Sequence, residues 1–402
     1  MVERFTVRWA ALIASGLATA AAADSTDRNV HVEVGQRLAE ETNLYRLPAG
    51  IDPADLLGPG ALRDDRVATS TVALAGQWEQ GRQAVVLDTS VAANRFSRNG
   101  DLDNTSGRGG LEWRWRLGGK WSGLLGARRE RALSSFANTD SLDKDVLDVA
   151  ARHAAARFEV TPRWRATLSA REAETEHGNT LRSRDDVRTR TAAFGFEHHT
   201  PRADSLGLEL RRARGTHARR EPLAPAAASD YEERRAGLKA RYLVASKLLF
   251  DGSAGRVERT YPFGARGDFA GDVWSAALRW SVSVKTEITV ERWQEVKAHL
   301  DAESEHFVAA GRALAASWSP LDSLRIALQA SREEQRYIGL VEDALAEPLR
   351  HDTPRARSLS VTYSPRERFS LDVSYRRESR GSDRPRFDYS AESLAVGWSL
   401  EF

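Results

Sequence analysis

Apolar and polar residues alternate along much of this chain, in segments of about ten residues that begin near residue 66. In residues 111–117, leucine and tryptophan occupy the odd positions, while glutamate and arginine occupy the even positions. Residues 206–211 and 236–242 show the same pattern. Because successive side chains of a β-strand point to opposite sides of the sheet, each segment is predicted to be a strand with one apolar and one polar face.

The connections between these segments alternate in length. Short turns are predicted at residues 79–81, 118–119, 161–162, 201–204, 244–246, 283–285, 320–322 and 365–367. Longer polar connections are predicted at residues 98–107, 134–144, 177–186, 216–230, 261–271, 298–304, 338–352 and 380–387. This alternation is typical of an antiparallel up-and-down β-barrel of the Gram-negative outer membrane. With a first strand near Val30 to Leu38, the pattern predicts an all-β transmembrane barrel of about eighteen strands, with sixteen as the alternative and both termini periplasmic.

Large aromatic residues lie near the predicted short turns and the C-terminus. Membrane interfaces favour such residues, because an aromatic body can face lipid while its polar tip faces water. The alternative is a secreted soluble β-protein whose tryptophans form its core. The sequence therefore predicts a membrane-interface girdle composed of Trp78, Trp115, Trp121, Trp164, Trp280, Trp318, Phe369 and Trp398.

The first residues differ from the rest. Arg4 and Arg8 precede a short apolar stretch, and Ala21 to Ala23 provide small residues for cleavage. This arrangement predicts a signal peptide at residues 1–23 and a single barrel domain at residues 24–402, located in the outer membrane. The low mean hydropathy of −0.50 is compatible with such a barrel, because only every second wall residue must be apolar.

The charge balance and residue usage exclude several functions. Lysine and arginine total 59 against 57 acidic residues, so the net charge of +2 gives no reason to expect a nucleic-acid partner. Cysteine is absent, which excludes disulfides and thiolate sites. The nine histidines lack the spacing of a zinc site, and no G-x-S-x-G motif is present, so we expect no metal, no cofactor and no enzyme activity.

Many charged side chains are predicted to point into the barrel. One interpretation is a lumen whose charges neutralise one another, and the other is a basic track that guides an anionic or hydroxyl-rich polymer. A wall of sixteen to eighteen strands encloses water, unless inward-folded residues 39–65 partly close it. The candidate pore-lining residues are Glu112, Arg114, Arg116, Arg165, Arg171, Glu209, Arg211, Lys239, Arg241, Arg279, Arg325 and Arg376.

One segment resembles a known family. Residues 41–53 read ETNLYRLPAGIDP and continue to Leu56-Leu57-Gly58, which is similar to the DDNLFRLP stretch of EpsL-type exopolysaccharide outer-membrane proteins found with exosortase B systems. Residues 133–136 and 398–402 also resemble that family, although here Glu41-Thr42 replaces the usual acidic pair. The resemblance implies an outer-membrane component of extracellular polysaccharide export, with polysaccharide, outer-membrane lipid and other export proteins as partners. It provides no catalytic residues.

Four functions are compatible with these observations. The first is a passive conduit for extracellular polysaccharide. The second is a general porin-type diffusion channel. The third is a non-conducting anchor or interaction protein of the cell envelope, and the fourth is a barrel enzyme with a serine and histidine cluster on its outer face.

Overall fold

The computed structural model describes residues 30–138, 142–202, 204–217, 230–261, 268–298, 306–338 and 350–402. They form one sheet of eighteen antiparallel strands. The first strand pairs with both the second and the last, so the sheet closes on itself. The predicted eighteen-stranded all-β barrel is therefore confirmed, and the proposed signal peptide lies outside the described residues.

The strands are long and follow one another around the barrel. A single short helix, α1 (Pro53–Leu57), lies in the first long loop of the described chain. The strands are β1 (Val30–Glu41), β2 (Asp65–Gln80), β3 (Gln83–Phe96), β4 (Asn104–Leu117), β5 (Trp121–Leu133), β6 (Val146–Thr161), β7 (Trp164–His177), β8 (Val187–His199), β9 (Ser205–Thr216), β10 (Tyr231–Ala245), β11 (Leu248–Thr260), β12 (Phe269–Ser283), β13 (Thr286–Ala298), β14 (His306–Leu321), β15 (Leu324–Ile338), β16 (His351–Arg366), β17 (Phe369–Ser382) and β18 (Tyr389–Glu401).

The tight turns lie within two residues of the positions that the break in alternation predicted. Gly81 and Gly118 adopt positive φ angles of 61° and 59° in two of these turns, a conformation that glycine adopts without steric cost. The long-loop end differs in detail from the prediction. Residues 104–107 were predicted to be loop but belong to β4, and the first loop spans residues 42–64 rather than 39–65. In both places polar residues extend the ladder beyond the apolar pattern, because backbone pairing does not require apolar side chains.

The outward face carries a charge-free band. On β10, the outward positions from Ala236 to Val244 are apolar, and the next outward positions toward the long loops are Arg234 and Glu232. The same border recurs around the described strands: between it and the short turns, outward positions carry no aspartate, glutamate, lysine or arginine. Exposed leucines and valines cover this band, including Leu208, Leu238 and Leu314 at 43–55% exposure. Such a surface suits hydrocarbon rather than water.

Each predicted girdle residue shares the outward side with these leucines and lies toward the short-turn end. Trp164 stacks on Phe196 of the neighbouring strand, with ring centroids 5.0 Å apart, and Trp121 lies 4.6 Å from Phe158. Trp78, Trp280 and Trp318 remain 43–51% exposed rather than packed in a core. Within the described residues, no helix has both the length and the apolarity needed to cross a membrane.

The charge-free band leads to a prediction about two adjacent residues of β15. Leu328 is outward and 53% exposed, whereas Gln329 is its inward neighbour. In lipid vesicles, we expect Leu328→Arg to lower the free energy of unfolding by about 2–4 kcal/mol, because it places a charge in hydrocarbon. Gln329→Arg is the control and should lower the free energy of unfolding by less than about 1 kcal/mol. If a denaturant titration gave the same loss of unfolding free energy for both variants, the assignment of the two faces would be contradicted.

Candidate functional site

The candidate pore-lining side chains all occupy strand positions opposite in parity to the exposed leucines, valines and tryptophans. They therefore lie on the inward face of the barrel. Several of them are already paired with neighbours of opposite charge. Arg114 Nε donates to Glu112 Oε1 at 2.6 Å, and the His153 ring lies 3.3 Å from Glu112 Oε2. Gly126, facing His153 across the strands, leaves room for this ring.

The pairing continues around the inner wall. Arg165 Nε donates to Glu159 at 2.7 Å, and Lys239 pairs with Glu209. Further inward ion pairs join Arg241 to Asp251, Arg279 to Glu287, Arg376 to Glu378, and Arg211 to Glu233. This is the arrangement expected of a self-neutralising lumen. Arg116 differs, since no carboxylate of the described chain lies within ion-pair distance of it.

The first loop is anchored to the inner wall by one buried amide. Asn43 is 1% exposed, and its Nδ2 donates to the carbonyls of Leu47 at 2.8 Å and Ser390 at 3.0 Å. Its Oδ1 accepts from the backbone N–H of Leu47 at 3.0 Å. These bonds hold the loop in a turn and attach it to β18. The Asn43 side chain is thus satisfied on both its donor and its acceptor sides.

An apolar cluster holds the other side of this loop. Leu44, Tyr45 and Leu47 are each less than 10% exposed and pack with Leu102 and Phe136 from the two following long loops. The Tyr45 ring lies 4.9 Å from the Phe136 ring. The Tyr45 hydroxyl also donates to Asn99 Oδ1 at 3.2 Å. The first three long loops therefore form one packed unit.

Arg46 is the charged element of this unit. Its φ angle is +57°, which is unusual for a residue other than glycine, and it pairs with Glu41 at 3.4 Å and with inward-facing Glu378. Burial disfavours the charged guanidinium, but the carboxylates of Glu378 and Glu41 outweigh it and raise the pKa of Arg46. The contact with β17 places the loop against the inner wall, as the sequence suggested for this segment.

A second inward element lies on the opposite side. Pairing between β12 and β13 ends at Trp274 and Gln294, so the last residues of β13 leave the wall. Val296 and Val308 then pack on Val257 and Val273, which face inward from β11 and β12. The ends of β13 and β14 therefore bend toward the lumen.

A buried polar network supports this bend and extends toward β17. Glu333 accepts from Trp293 Nε1 at 3.1 Å and from Lys297 Nζ at 2.8 Å. Asp352 accepts from Arg350 at 2.6 Å and from the Tyr337 hydroxyl at 3.2 Å. A separate pair joins Glu233 to Arg259, each 1% exposed. Such buried charges are tolerated only with partners, and here each has them.

These buried groups were not predicted from the sequence. Glu333, Gln335 and Tyr337 occupy alternate positions of β15, but polar residues in that pattern look the same in the sequence whether they face solvent or a buried network. In the described residues, no group of three or more histidine, aspartate or glutamate side chains could hold a metal ion.

Comparisons with known proteins agree with this geometry. Residues 226–402 match the family model described as "Putative beta-barrel porin 2". No curated protein sequence matches the chain. Among solved structures, a BenF-like porin from Pseudomonas fluorescens Pf-5 has a TM-score of 0.51 at 10% identity, covering 94% of this chain and 100% of that one.

The fold is that of outer-membrane porins. OccK2 (OpdF) of Pseudomonas aeruginosa, in a complex with glucuronate, has a TM-score of 0.50 at 11% identity, covering 93% of this chain and 98% of that one. OpdK of the same organism, with vanillate, has a TM-score of 0.50 at 11% identity, and the match covers 93% of this chain and 99% of OpdK. At these low sequence identities, the similarity shows a shared fold and nothing more.

The Asn43 anchor leads to a prediction about the first loop. Asn43→Ala leaves the backbone N–H of Leu47 and the carbonyl of Ser390 without partners, and each unsatisfied buried group costs about 1–3 kcal/mol. We expect trypsin to cut after Arg46 and Arg63 at least about tenfold faster, since about 1.4 kcal/mol corresponds to that factor. Leu56→Ala, at a 58% exposed position of the same loop, is the control. Unchanged cleavage in the Asn43 variant would show that the apolar cluster alone holds the loop.

Proposed function

We propose that this protein is an outer-membrane channel of the porin type, through which hydrophilic solutes diffuse. The observation that carries this proposal is the closed eighteen-stranded wall with an uncharged apolar outer face and a charged inner face. Barrels of this size enclose a water-filled lumen. The match of residues 226–402 to a porin family model supports the same conclusion. On this proposal the short turns and both termini face the periplasm.

The two inward elements give the channel a constriction near its long-loop end. One is the first loop, attached to β17 and β18 through Arg46 and Asn43. The other is the bent end of β13 and β14, seated on Val257 and Val273. Both depend on buried contacts rather than on exposed ones, so the opening between them has a defined shape. A solute must pass this level by exchanging water for contacts with the wall.

Between the constriction and the short turns, the side chains of the inner wall favour weak, exchangeable contacts with solutes. Ion pairs such as Arg165 with Glu159 leave little net field, since each charge is neutralised locally. Arg116 remains available to an anion. The structurally similar OccK2 was solved with glucuronate, which carries both a carboxylate and hydroxyl groups. We infer that small hydroxyl-rich or anionic solutes suit this lumen best.

The channel is tested by the ion preference of the purified protein in planar bilayers. Replacing Arg114 and Arg116 by serine removes two inward positive charges and leaves Glu112 without its arginine partner. The reversal potential in a salt gradient should therefore shift toward cation preference. Arg131→Ser with Arg152→Ser removes two outward-facing arginines and should leave it unchanged. A protein that never conducts would refute the channel itself, and equal reversal potentials would remove Arg114 and Arg116 from the conducting path.

A second candidate function is export of an extracellular polysaccharide. It is favoured by where the family-like segment lies: Asn43, Leu44, Tyr45, Arg46 and Leu47 are the residues that fasten the first loop to the inner wall. A polymer leaving the cell would meet this loop at the constriction. Other polysaccharide-export proteins would then bind at the periplasmic end. The lumen charges would offer hydrogen bonds to the passing sugars.

Export is tested in the producing bacterium. Deleting the gene should abolish surface polysaccharide if the barrel is its conduit, and should leave it unchanged if the barrel is a general porin. Complementation with Arg46→Ala, which breaks the contacts to Glu41 and Glu378, should alter the amount or length of the exported polymer. Complementation with Leu56→Ala is the control. Normal polysaccharide in the deletion strain would exclude export and leave the porin function standing.

A further inference from the structure

A row of arginines crosses four neighbouring strands on the outward face. On β13 to β15 the row lies directly beyond the charge-free band, and on β16 outward-facing Arg357 lies between the row and the band. Arg292 of β13 lies opposite Arg312 of β14, and Arg312 lies opposite Arg332 of β15. Arg332 in turn lies opposite Arg355 of β16. All four side chains are exposed. These four residues are called the arginine row below.

Three of the four arginines in the row have no carboxylate partner within the described chain. Directly opposed like charges on neighbouring strands destabilise a sheet, because their Cβ atoms lie only about 4.5–5.5 Å apart. Glu334 approaches Arg332 at 3.8 Å. Within the described chain, no carboxylate lies at ion-pair distance from Arg292, Arg312 or Arg355. The row therefore lacks an anion that would remove its internal repulsion.

Several other outward arginines near the border of the charge-free band do have partners. Arg129 pairs with Asp148 at 2.7 Å, and Arg190 pairs with Glu172 at 2.6 Å. Arg188 pairs with Glu174 at 3.1 Å. Outward-facing Arg131, Arg152, Arg214 and Arg234 also lack a carboxylate at ion-pair distance within the described chain. Among the described strands, however, only β13 to β16 carry an unbroken run of four directly opposed arginines.

Depth in the membrane narrows the choice of anion. The next outward residues toward the short turns are Val290 after Arg292 and Leu314 after Arg312, each 49% exposed. Two residues along a strand span about 6.6 Å, so the guanidinium groups lie just above the hydrocarbon. Arginine side chains can also extend along an apolar surface to reach the headgroup layer. An anion held there must belong to a lipid headgroup or reach that layer from solution.

We propose that the arginine row binds the phosphate groups of the phosphorylated glycolipid that forms the outer leaflet of the outer membrane. The guanidinium group donates paired hydrogen bonds that match phosphate oxygens, and several groups in a line can hold more than one phosphate. The acyl chains of the same molecule would lie on Val290 and Leu314. This inference rests on the membrane placement given under Proposed function but not on conduction.

The test uses the full-length protein purified in an uncharged detergent. Binding of a bisphosphorylated acylated disaccharide is measured by native mass spectrometry, beside the same glycolipid without phosphates and inorganic phosphate alone. Replacing the four arginines of the row by serine should weaken binding of the bisphosphorylated form at least about tenfold, since charge-assisted bonds are the stronger class. The matched control replaces Arg66, Arg95, Arg129 and Arg188 by serine; each of these has a carboxylate partner.

The control variant should bind within about threefold of the unmodified protein, and the form without phosphates should bind much more weakly. An equal loss of glycolipid binding in both variants would show that net charge alone explains the binding. No loss in either variant would exclude the row as the binding site. Both results overturn the proposal. Inorganic phosphate binding as tightly as the glycolipid, or a dimer that only the row variant loses, would also overturn it. Bilayer conductance of the row variant should be unchanged, so failure here is distinct from failure of the channel.

Discussion

Closure of the sheet is the constraint on which the rest of this structure depends. In hydrocarbon, every backbone N–H and C=O group must find a partner within the protein, because no water is present to replace it. The pairing of β1 with both β2 and β18 satisfies this requirement around the whole circumference. Once the sheet is closed, each strand has one face toward lipid and one toward the lumen. The two sets of side chains are then free to serve different purposes.

The outward face also varies in chemistry from one end of the barrel to the other. Its uncharged band ends at a border of charged residues near the long loops, and its aromatic residues collect near the short turns. The two ends of the band thus differ in chemistry. Such a difference orients a barrel across an asymmetric membrane, since aromatic residues suit either interface but a concentration of arginine suits a phosphate-rich leaflet.

The inward face follows another logic, because charges there can pair with each other in water. Near the short turns, pairs such as Arg279 with Glu287 are half exposed and contribute little stability. Near the long loops, Glu233 with Arg259 is fully buried, and such a pair becomes costly as soon as one partner is removed. The lumen therefore passes from a solvated wall to a packed constriction. On the proposed channel function, solute passage would depend on the second region more than on the first.

The sequence by itself determined the strands, the tight turns and which side of each strand faces outward, and it favoured eighteen strands over sixteen. It could do so because an alternating pattern has only one register that places Leu206, Leu208 and Leu210 together on one face. It also located the first loop, through its turn residues, though not the strand extension at residues 104–107.

Only the tertiary structure decided how the lumen is shaped. The bend that brings Val296 and Val308 onto Val257 and Val273, and the attachment of Arg46 to Glu378, join residues far apart in the chain. The arginine row likewise exists only in the register of four strands, since Arg292, Arg312, Arg332 and Arg355 are separated by 20 to 23 residues along the chain. Alternation states which face a residue occupies, but a contact between distant strands depends on the closed sheet that brings them together.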